Sequence, residues 1–364
     1  MRELAYTVKI NKITPIENAD KIELATVRGW NVVVKKGEFK EGDIGVYFEI
    51  DSLLPELECF EFMRDKKYKV KTIKLRGVLS QGLLLPLSVF PFDIPNEENI
   101  PLTDKIGVKH IEDEIIETHK EIDSYAKRVG IYHSHLVKSK IFKWSKKKNN
   151  FIYKIIQKLF PIPQIKKQSF PNEVSKTDEV RVENIPEILD NKDEWVVTEK
   201  VDGTSATYLL RSNGDFVICS RNRVINEPDD TYWFIAEKYK IKDFLQANIK
   251  GDFICLQGEI VGPKINGNRL KLSYLDFYAF NLIDDEGRKD SILASSTTMA
   301  YKINWVPILD ITTLPHTMEE MKKMAQGHSR INPEVMREGL VYRSQDGKQS
   351  FKNINNNYLL KGGE

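Results

Sequence analysis

Short apolar runs separated by glycine-containing turns fill the first 90 residues, and this pattern restricts the fold more than any other feature of the sequence. The runs are rich in Val, Ile, Tyr and Phe, which favour strands, while the glycines between them favour tight turns. The runs are Ala25–Val27, Asn31–Val34 and Ile44–Ile50, and the turns are Arg28-Gly29, Lys36-Gly37 and Glu41-Gly42-Asp43. Several short strands in so small a segment predict a barrel or a sandwich, and we favour an OB-type β-barrel over residues 1–100.

The overall charge of the 364-residue chain is close to neutral, because 55 lysines and arginines oppose 53 aspartates and glutamates. A surface for a polyanion must therefore come from an uneven distribution of charge. The odd number of cysteines (Cys59, Cys219 and Cys255) and the lack of a CxxC pair do not suit a disulfide framework, so a reducing, cytoplasmic location is expected. The N-terminus lacks the apolar core of a signal peptide, and no apolar run is long enough to span a membrane.

Positive charge is concentrated in the stretch 101–172, which we expect to link two domains. No Asp or Glu lies between Asp123 and Glu173, whereas twelve lysines and arginines do, with aromatic residues interleaved. This combination is typical of a nucleic-acid contact, and the alternative is a solvated linker with a helix over Phe151–Phe160. A second basic run, Lys69–Gly77, is interpreted as a strand face that holds a phosphate backbone or as a lysine-protected edge strand.

The last part of the chain, residues 173–364, alternates between strand-like and helix-like runs. The predicted strands are Trp195–Glu199, Ser205–Leu210, Phe216–Ser220, Phe253–Val261 and Leu275–Leu282, and the predicted helices are Tyr232–Ala247 and Met318–Met324. Several strands flanked by helices predict an α+β domain. The fold class expected for the whole chain is therefore α+β, with an OB-fold β-barrel followed by a domain of antiparallel sheets and helices.

The run Thr198-Glu199-Lys200-Val201-Asp202-Gly203-Thr204 places a lysine between an apolar strand and an Asp-Gly turn. Such a strand and turn can hold the lysine amine at the floor of a pocket, and Gly203 would let the backbone turn tightly. An amine attacks only when it is deprotonated, and burial or a nearby cation such as a metal ion would lower its pKa from about 10.4. The pattern indicates a nucleophilic lysine, although short patterns of this kind also recur by chance.

Further residues suited to nucleotide chemistry follow along the chain. Glu259 and Glu338 are carboxylates beside glycines and suit a hydrated divalent metal ion. One of the aromatic residues in Asp276–Phe280 could stack on a purine, and Lys352 could neutralise an α-phosphate. Each residue alone has an ordinary structural explanation, but the whole series in this order is far less expected by chance.

The series Lys200, Glu259, Phe277–Phe280, Glu338 and Lys352 resembles motifs I, III, IIIa, IV and V of the covalent nucleotidyltransferase superfamily, which contains ATP-dependent RNA and DNA ligases and mRNA capping enzymes. Other runs resemble one RNA ligase family in which an OB domain comes first. These runs are Asn18–Glu23, Gly29-Trp30, Val32–Gly37, Gly42-Asp43, Tyr47–Ser52, Lys71–Gly77, Ser80-Gln81-Gly82 and Ser175–Arg181. Because only twelve residues follow Lys352, we expect no second OB domain after the last motif.

The resemblance implies an ATP-dependent RNA ligase for RNA repair. It would be a monomer that acts on nicked duplex RNA and joins 3′-OH and 5′-phosphate ends through lysyl-AMP and adenylylated RNA. The implied catalytic residues are Lys200, Glu259, Glu338 and Lys352. The implied nucleotide-binding residues are Glu199, Lys200, Val201, Arg181, Arg221, Phe280 and Lys352, with Glu199 at the adenine edge. The residues implied for Mg²⁺ or Mn²⁺, held through its water shell, are Asp202, Glu259 and Glu338.

One position departs from the family pattern. Related ligases often have Lys-x-Lys in the last motif, but Ile354 stands at the second lysine position, and Lys361 is a candidate substitute. The motifs leave open a capping-type guanylyltransferase, a DNA ligase, and an OB-type binding protein with an inactive second domain. They also leave open the choice between nicked and single-stranded ends, since recognition of RNA depends on contacts that spacing does not show.

Overall fold

A computed structural model describes residues 3–111, 134–148, 150–160, 170–225 and 231–361. The chain divides into two compact units. The first contains Met1–Val27 and Asn31–Lys166, and the second contains Arg28–Trp30 and Lys167–Glu364. The domain limits expected from the sequence, at residues 100 and 172, stay predictions.

The strands of the first part of the fold are β1 (Ala5–Pro15), β2 (Ile22–Val27), β3 (Trp30–Lys35), β4 (Ile44–Phe48), β5 (Ser52–Leu53), β6 (Ile73–Leu75), β7 (Val78–Ser80), β8 (Leu83–Pro86) and β9 (Lys109–His110). Five of them form an antiparallel sheet in the order β3-β2-β1-β4-β8. The α-helices of this part are α1 (Thr103–Ile106), α2 (Ser134–Lys138), α3 (Lys140–Lys148) and α4 (Phe151–Leu159), and 3-10 helices cover Glu58–Lys66 and Leu87–Val89.

The long strand β1 is what makes this sheet curl. Its first half pairs with β4, and its second half pairs with β2 after a register shift between Ile10 and Lys12. Such a bulge bends the strand and lets one strand serve two parts of a barrel. The apolar core on one side of the sheet includes Val46, Phe48 and Phe60. The predicted OB-type architecture is therefore confirmed.

The basic run Lys69–Gly77 does not form one strand. Strand structure covers only β6, which pairs with β7 in a two-stranded hairpin. Arg76 and Gly77 form the turn, with φ angles of 47° and 86°, and these left-handed values reverse the chain between the two strands. The prediction that Arg76 lines a strand face is wrong for this reason.

Helices α3 and α4 form a hairpin with a small core of its own. Phe142, Tyr153 and Ile156 are buried in it, and the rings of Phe142 and Tyr153 meet edge to face at 5.7 Å. Asn150 caps α4 by accepting a hydrogen bond from the Tyr153 backbone N–H at 3.2 Å. The predicted helix over Phe151–Phe160 is confirmed, whereas much of the rest of the predicted linker lies outside the described residues.

The second unit contains two larger sheets and most of its helices flank them. The strands are β10 (Val180–Arg181), β11 (Glu194–Lys200), β12 (Thr204–Arg211), β13 (Phe216–Ser220), β14 (Phe253–Val261), β15 (Asp276–Asp284), β16 (Gly287–Arg288), β17 (Asn304–Trp305), β18 (Ile308–Thr313), β19 (Gly339–Ser344) and β20 (Ser350–Ile354). The α-helices are α5 (Thr231–Lys238), α6 (Ile241–Asn248), α7 (Ser291–Ala300), α8 (Met318–Met324) and α9 (Asn356–Lys361), and 3-10 helices cover Val182–Asn184, Pro186–Asp190 and Asn266–Asn268.

One sheet has the order β10-β20-β19-β11-β18 and the other has the order β13-β12-β14-β15-β16, with β17 beside β15. Both are antiparallel except for the short pairs β10–β20 and β15–β17. The predicted α+β class and the strands predicted in this unit are confirmed. The predicted helix Tyr232–Ala247 is two helices, because Lys240 adopts a left-handed conformation with a φ of 49° between α5 and α6. Within the described ranges, no helix has the length and apolar character to cross a membrane.

Candidate active site

Lys200 is the last residue of β11, and its amine lies among carboxylates. The register pairs Lys200 with Gly339 at the start of β19, so that Glu338 lies beside it. The distance from Lys200 Nζ to Glu338 Oε1 is 2.6 Å, and 25% of the lysine side chain is exposed. Burial lowers the pKa of Lys200, but the attraction of Glu338 and Glu259 outweighs burial and the net pKa lies above its ordinary value. The amine is therefore protonated in the free protein.

Two glycines let the strands around this lysine approach closely. A Cβ atom on Gly203 would lie 2.2 Å from the backbone oxygen of Ile260, and one on Gly339 would lie 2.3 Å from that of Asn353. The backbone of Gly203 is not left-handed, so this position requires small size rather than a tight glycine turn. Close packing here sets the start of β12 against β14, the strand that carries Glu259.

Glu259 lies opposite Ser205 in the β12–β14 ladder and accepts a hydrogen bond from Ser205 Oγ at 3.3 Å. Burial raises the pKa of Glu259 to about 8, with Lys200 opposing the shift and Glu338 adding to it. Several buried acidic groups around one lysine repel one another, and this repulsion makes the cluster attractive to an additional cation.

Asp202 is held by donors from two other parts of the unit. It accepts hydrogen bonds from Tyr358 Oη and Asn266 Nδ2, and Arg269 Nε lies 3.5 Å from its Oδ2 atom. The Arg269 guanidinium also lies over the Tyr358 ring, 5.2 Å from its centre. Burial raises the pKa of Asp202, as does the nearby charge of Glu338, while the Tyr358 hydrogen bond opposes the shift.

The three carboxylates do not form a ready-made inner coordination sphere. In the described part of the chain, no group of three His, Cys, Asp or Glu side chains is arranged to hold a metal ion directly. One oxygen of Glu338, Oε2, is nevertheless buried without a hydrogen-bond partner. An unpaired buried carboxylate oxygen next to Glu259 and Asp202 fits a hydrated cation, in which water molecules bridge the metal and the protein. The metal assignment of these residues stays a prediction.

Glu199 has one satisfied and one unsatisfied oxygen. Its Oε2 atom accepts the backbone N–H of Arg330 at 2.7 Å, whereas Oε1 is buried and has no partner. Burial also raises the pKa of Glu199. A buried acceptor without a donor is costly, so this position suits a ligand that brings an N–H group.

The aromatic residues of β15 have different environments. Phe277 is fully buried in the apolar core, so its ring is not available for stacking. Val201 packs in the same core, and its nucleotide-binding assignment stays a prediction. Phe280 is the extra residue of a bulge, because Gln257 pairs with Asn281 while Gly258 pairs with Ala279. Bulges redirect side chains, and the Phe280 ring is only partly buried. Phe280 is therefore more accessible than Phe277, and the Arg343 guanidinium lies over its ring, 5.6 Å from the centre.

The buried cation Lys352 shares one carboxylate with Arg221. Lys352 Nζ lies 2.8 Å from Asp178 Oδ1, and Arg221 Nη2 lies 3.4 Å from Asp178 Oδ2. Burial lowers the pKa of Lys352 to about 8, although the Asp178 charge opposes the shift. The three side chains form an ionic cluster in which Asp178 occupies a position suited to a phosphate group.

Arg181 completes this cationic end of the site. It pairs with Lys352 in the parallel β10–β20 ladder and is 7% exposed. Its Nε and Nη1 atoms are buried without hydrogen-bond partners. Because a buried guanidinium strongly favours an anionic acceptor, Arg181 suits the phosphates of a nucleotide.

Comparison with known proteins identifies the family. Residues 193–356 match the RNA ligase family model, and residues 4–87 match an OB-fold domain family. The structure of Naegleria gruberi RNA ligase with pyrophosphate is 34% identical, with a TM-score of 0.79 and coverage of 99% of this chain and 98% of that one. The chain belongs to the RNA ligase family. No curated protein sequence matches it.

Two further structures of the Naegleria gruberi RNA ligase are also 34% identical to this chain. A lysine-to-alanine mutant with ATP and Mn has a TM-score of 0.79, and a glutamate-to-alanine mutant with AMP and Mn has a TM-score of 0.78. Each match covers 98% of both chains. The similarity therefore extends over both units of this chain.

Sequence reasoning missed several partners in the site, among them Asp178 and Tyr358. Asp178 lies in a run quoted only for its resemblance, and Tyr358 lies in the last helix, where no pattern marked it. The signal for Tyr358 is weak, because 156 residues separate it from Asp202. At the departure from the family pattern, Ile354 is buried and 3% exposed, and the side chain of Lys361 lies outside the described residues. The proposed role of Lys361 stays a prediction.

Proposed function

We propose that this protein is an ATP-dependent RNA ligase that joins a 3′-OH end to a 5′-phosphate end through a lysyl-AMP intermediate. The observation that carries the proposal is the position of Lys200, whose Nζ atom lies 2.6 Å from Glu338 within a cluster of three carboxylates. An amine in an acidic cluster, next to a cationic cluster for phosphates, is the arrangement required for attack on a nucleotide.

In the first step the Lys200 amine attacks the α-phosphorus of ATP. A nitrogen–phosphorus bond forms, the bond to pyrophosphate breaks, and the amine loses its proton. Lys352 and Arg181 would neutralise the phosphates, since both are cationic groups buried next to each other. Glu199 would accept a hydrogen bond from the adenine amino group through Oε1, and Phe280 would stack on the ring.

Phosphate binding must rearrange the ionic cluster of the free protein. Asp178 accepts from Lys352 and approaches Arg221, so the nucleotide phosphates would compete with this carboxylate for both cations. Once released from Asp178, Arg221 could contact a phosphate of the nucleotide or of the RNA. Asp178 would therefore contact Lys352 and Arg221 only while no nucleotide is bound.

Asp202, Glu259 and Glu338 would hold a hydrated Mg²⁺ or Mn²⁺ ion. The bound ion supplies positive charge that favours the neutral form of the lysine amine and stabilises negative charge on the α-phosphate. Without a cation these carboxylates keep Lys200 protonated, which opposes its attack. The raised pKa of the nucleophile therefore supports a role for a divalent metal in the first step.

The next two steps transfer AMP to the 5′-phosphate of RNA and then displace it. A phosphate oxygen of the RNA attacks the lysyl-AMP phosphorus, and the bond to Lys200 breaks. The RNA 3′-OH then attacks the activated 5′-phosphate, a phosphodiester forms and AMP leaves. We propose nicked duplex RNA as the substrate and repair as the purpose. The related Naegleria gruberi RNA ligase was solved with ATP, with AMP and with pyrophosphate, which supports the nucleotide chemistry proposed for the first step.

The test of this proposal is labelling with α-³²P ATP or α-³²P GTP in the presence of Mg²⁺ or Mn²⁺. From ATP we expect label that survives denaturation, is absent from Lys200→Ala and is released by added pyrophosphate. No label should form when the metal is chelated before ATP is added. Label from GTP alone would instead indicate capping chemistry. The absence of label with either metal would refute the enzymatic proposal.

A further inference from the structure

The hairpin of α3 (Lys140–Lys148) and α4 (Phe151–Leu159) carries a surface that the proposed chemistry does not use. The two helices bury Phe142, Tyr153 and Ile156 between them. Since each helix is amphipathic about this small core, its other side faces solvent. The composition of that outer side indicates what it can bind.

The outer side of the hairpin is strongly positive. Five of its lysines are exposed: Lys140, Lys143, Lys147, Lys154 and Lys158. No acidic residue lies between Asp123 and Glu173, and twelve basic residues do. Because the whole chain has a net charge of +2, everything outside this stretch has a net charge of −10. The positive charge is therefore local, and it complements a polyanion.

Exposed apolar side chains lie among these lysines. On α4, Phe151 is 76% exposed and Leu159 is 68% exposed, and with Ile155 they follow a four-residue spacing that forms one stripe. On α3, Ile141 is 64% exposed and Trp144 is 49% exposed. A partner that covers this face must combine negative charge with flat apolar surface.

Single-stranded RNA has both properties, because its phosphates are charged and its unpaired bases present flat faces. We propose that the α3–α4 hairpin is an accessory site for single-stranded RNA. Its lysines would contact phosphates, and Trp144 and Phe151 would stack on unpaired bases. The inference rests on the proposed function: the hairpin would hold unpaired RNA that flanks the duplex in which the nick lies. Duplex RNA, whose bases are hidden, would bind the hairpin more weakly.

The electrostatic part is tested by replacing four of the exposed lysines and measuring RNA binding. Fluorescence anisotropy with a labelled single-stranded RNA would compare the full chain with a variant carrying Lys→Gln at Lys143, Lys147, Lys154 and Lys158. At about 0.1 M salt we expect the variant to bind the RNA at least about tenfold more weakly. The slope of log K against log salt should also be smaller by about 3, because each of the four lost phosphate contacts contributes roughly 0.7. A charge-matched control carries Lys→Gln at Lys192, Lys242, Lys250 and Lys302, which are exposed lysines of the second unit. It should change binding less than about twofold.

The stacking part is tested at the two aromatic residues. Trp144→Ala and Phe151→Ala should each weaken single-stranded RNA binding about fivefold or more, whereas Trp144→Phe, which keeps a ring, should lose less. Trp144 is the most exposed tryptophan of the described residues, so RNA should quench tryptophan fluorescence in the wild type and quench it less in Trp144→Phe.

Three readouts separate this inference from its alternatives. Every hairpin variant should form lysyl-AMP at the wild-type rate. If the wild type itself formed no lysyl-AMP, that result would refute the proposed function and not the hairpin site. If the variant with four substituted hairpin lysines bound RNA as tightly as the charge-matched control, the inference would be overturned. Hairpin-dependent sedimentation with vesicles of phosphatidylserine and phosphatidylcholine, with unchanged RNA binding, would assign the face to a lipid surface instead.

Discussion

Replacing Glu199 by glutamine is expected to weaken ATP binding and to reduce the preference for ATP over GTP. Oε2 of Glu199 accepts the Arg330 backbone N–H at 2.7 Å, and the buried Oε1 atom has no partner. Glutamine can keep the Arg330 hydrogen bond only with its amide oxygen, which places its NH₂ group at the former position of Oε1. That donor cannot accept from the adenine 6-amino group, but it can donate to the 6-oxo group of guanine.

The size of the effect follows from the lost hydrogen bond. A hydrogen bond to a charged group contributes about 1.5–3 kcal/mol, which corresponds to a rise in the KM for ATP of about 10-fold to 140-fold. The rate of lysyl-AMP formation would be measured against ATP and GTP concentration for the wild type and Glu199→Gln. Glu49→Gln is the control, because Glu49 is equally buried but lies in the first unit, where it accepts a hydrogen bond from Tyr6. A wild-type KM and base preference in Glu199→Gln would refute the assignment of Oε1 to adenine.

Three further outcomes follow from the same site. The pKa of Lys352 is lowered to about 8, so this amine loses its charge as pH rises through that value and the KM for ATP should increase there. Arginine stays charged at such pH values, so Lys352→Arg should abolish the increase in KM. A pH profile of KM in Lys352→Arg that equals the wild-type profile would contradict the role of Lys352. Tyr358→Phe removes a donor to Asp202 and should cost about 1 kcal/mol, seen as a Tm lower by about 2–4 °C in thermal unfolding; an unchanged Tm would contradict the contact. Gly203→Ala would place a Cβ atom 2.2 Å from the Ile260 backbone oxygen. It should lower the free energy of unfolding, measured in denaturant, by about 1–3 kcal/mol and slow lysyl-AMP formation. Wild-type stability and rate in this variant would show that the close approach is not required.

Strands could be predicted from local composition because their apolar runs end at turn residues. The predicted limits of β13 and β14 agree with the structure, as does the full length of α8. The break between α5 and α6 could not be predicted, since Lys240 is an ordinary helix residue and only its left-handed conformation interrupts the helix. The Arg76-Gly77 turn shows the same limit, because the surrounding alternation favours a continuous strand.

The chemical groups of the site could be predicted from their order along the chain, but their geometry could not. Strand register places Glu338 beside Lys200, and a single bulge separates Phe280 from the buried Phe277. Neither feature has a local signature, because both depend on pairing between distant segments. Asp178 was missed for a similar reason, since its partner Lys352 is 174 residues away. The roles of these residues remain predictions until they are tested.

The most direct test of the central claim is a chase of the isolated lysyl-AMP protein with nicked RNA in the absence of ATP. The protein would be labelled with α-³²P ATP, freed of nucleotide and mixed with the RNA and a divalent metal, and the label would be followed through a single turnover. We predict that label moves from the protein to the RNA 5′ end and then appears as free AMP while sealed RNA accumulates. Label that stays on the protein, or sealing that occurs without its release, would contradict the claim that Lys200 carries AMP to RNA.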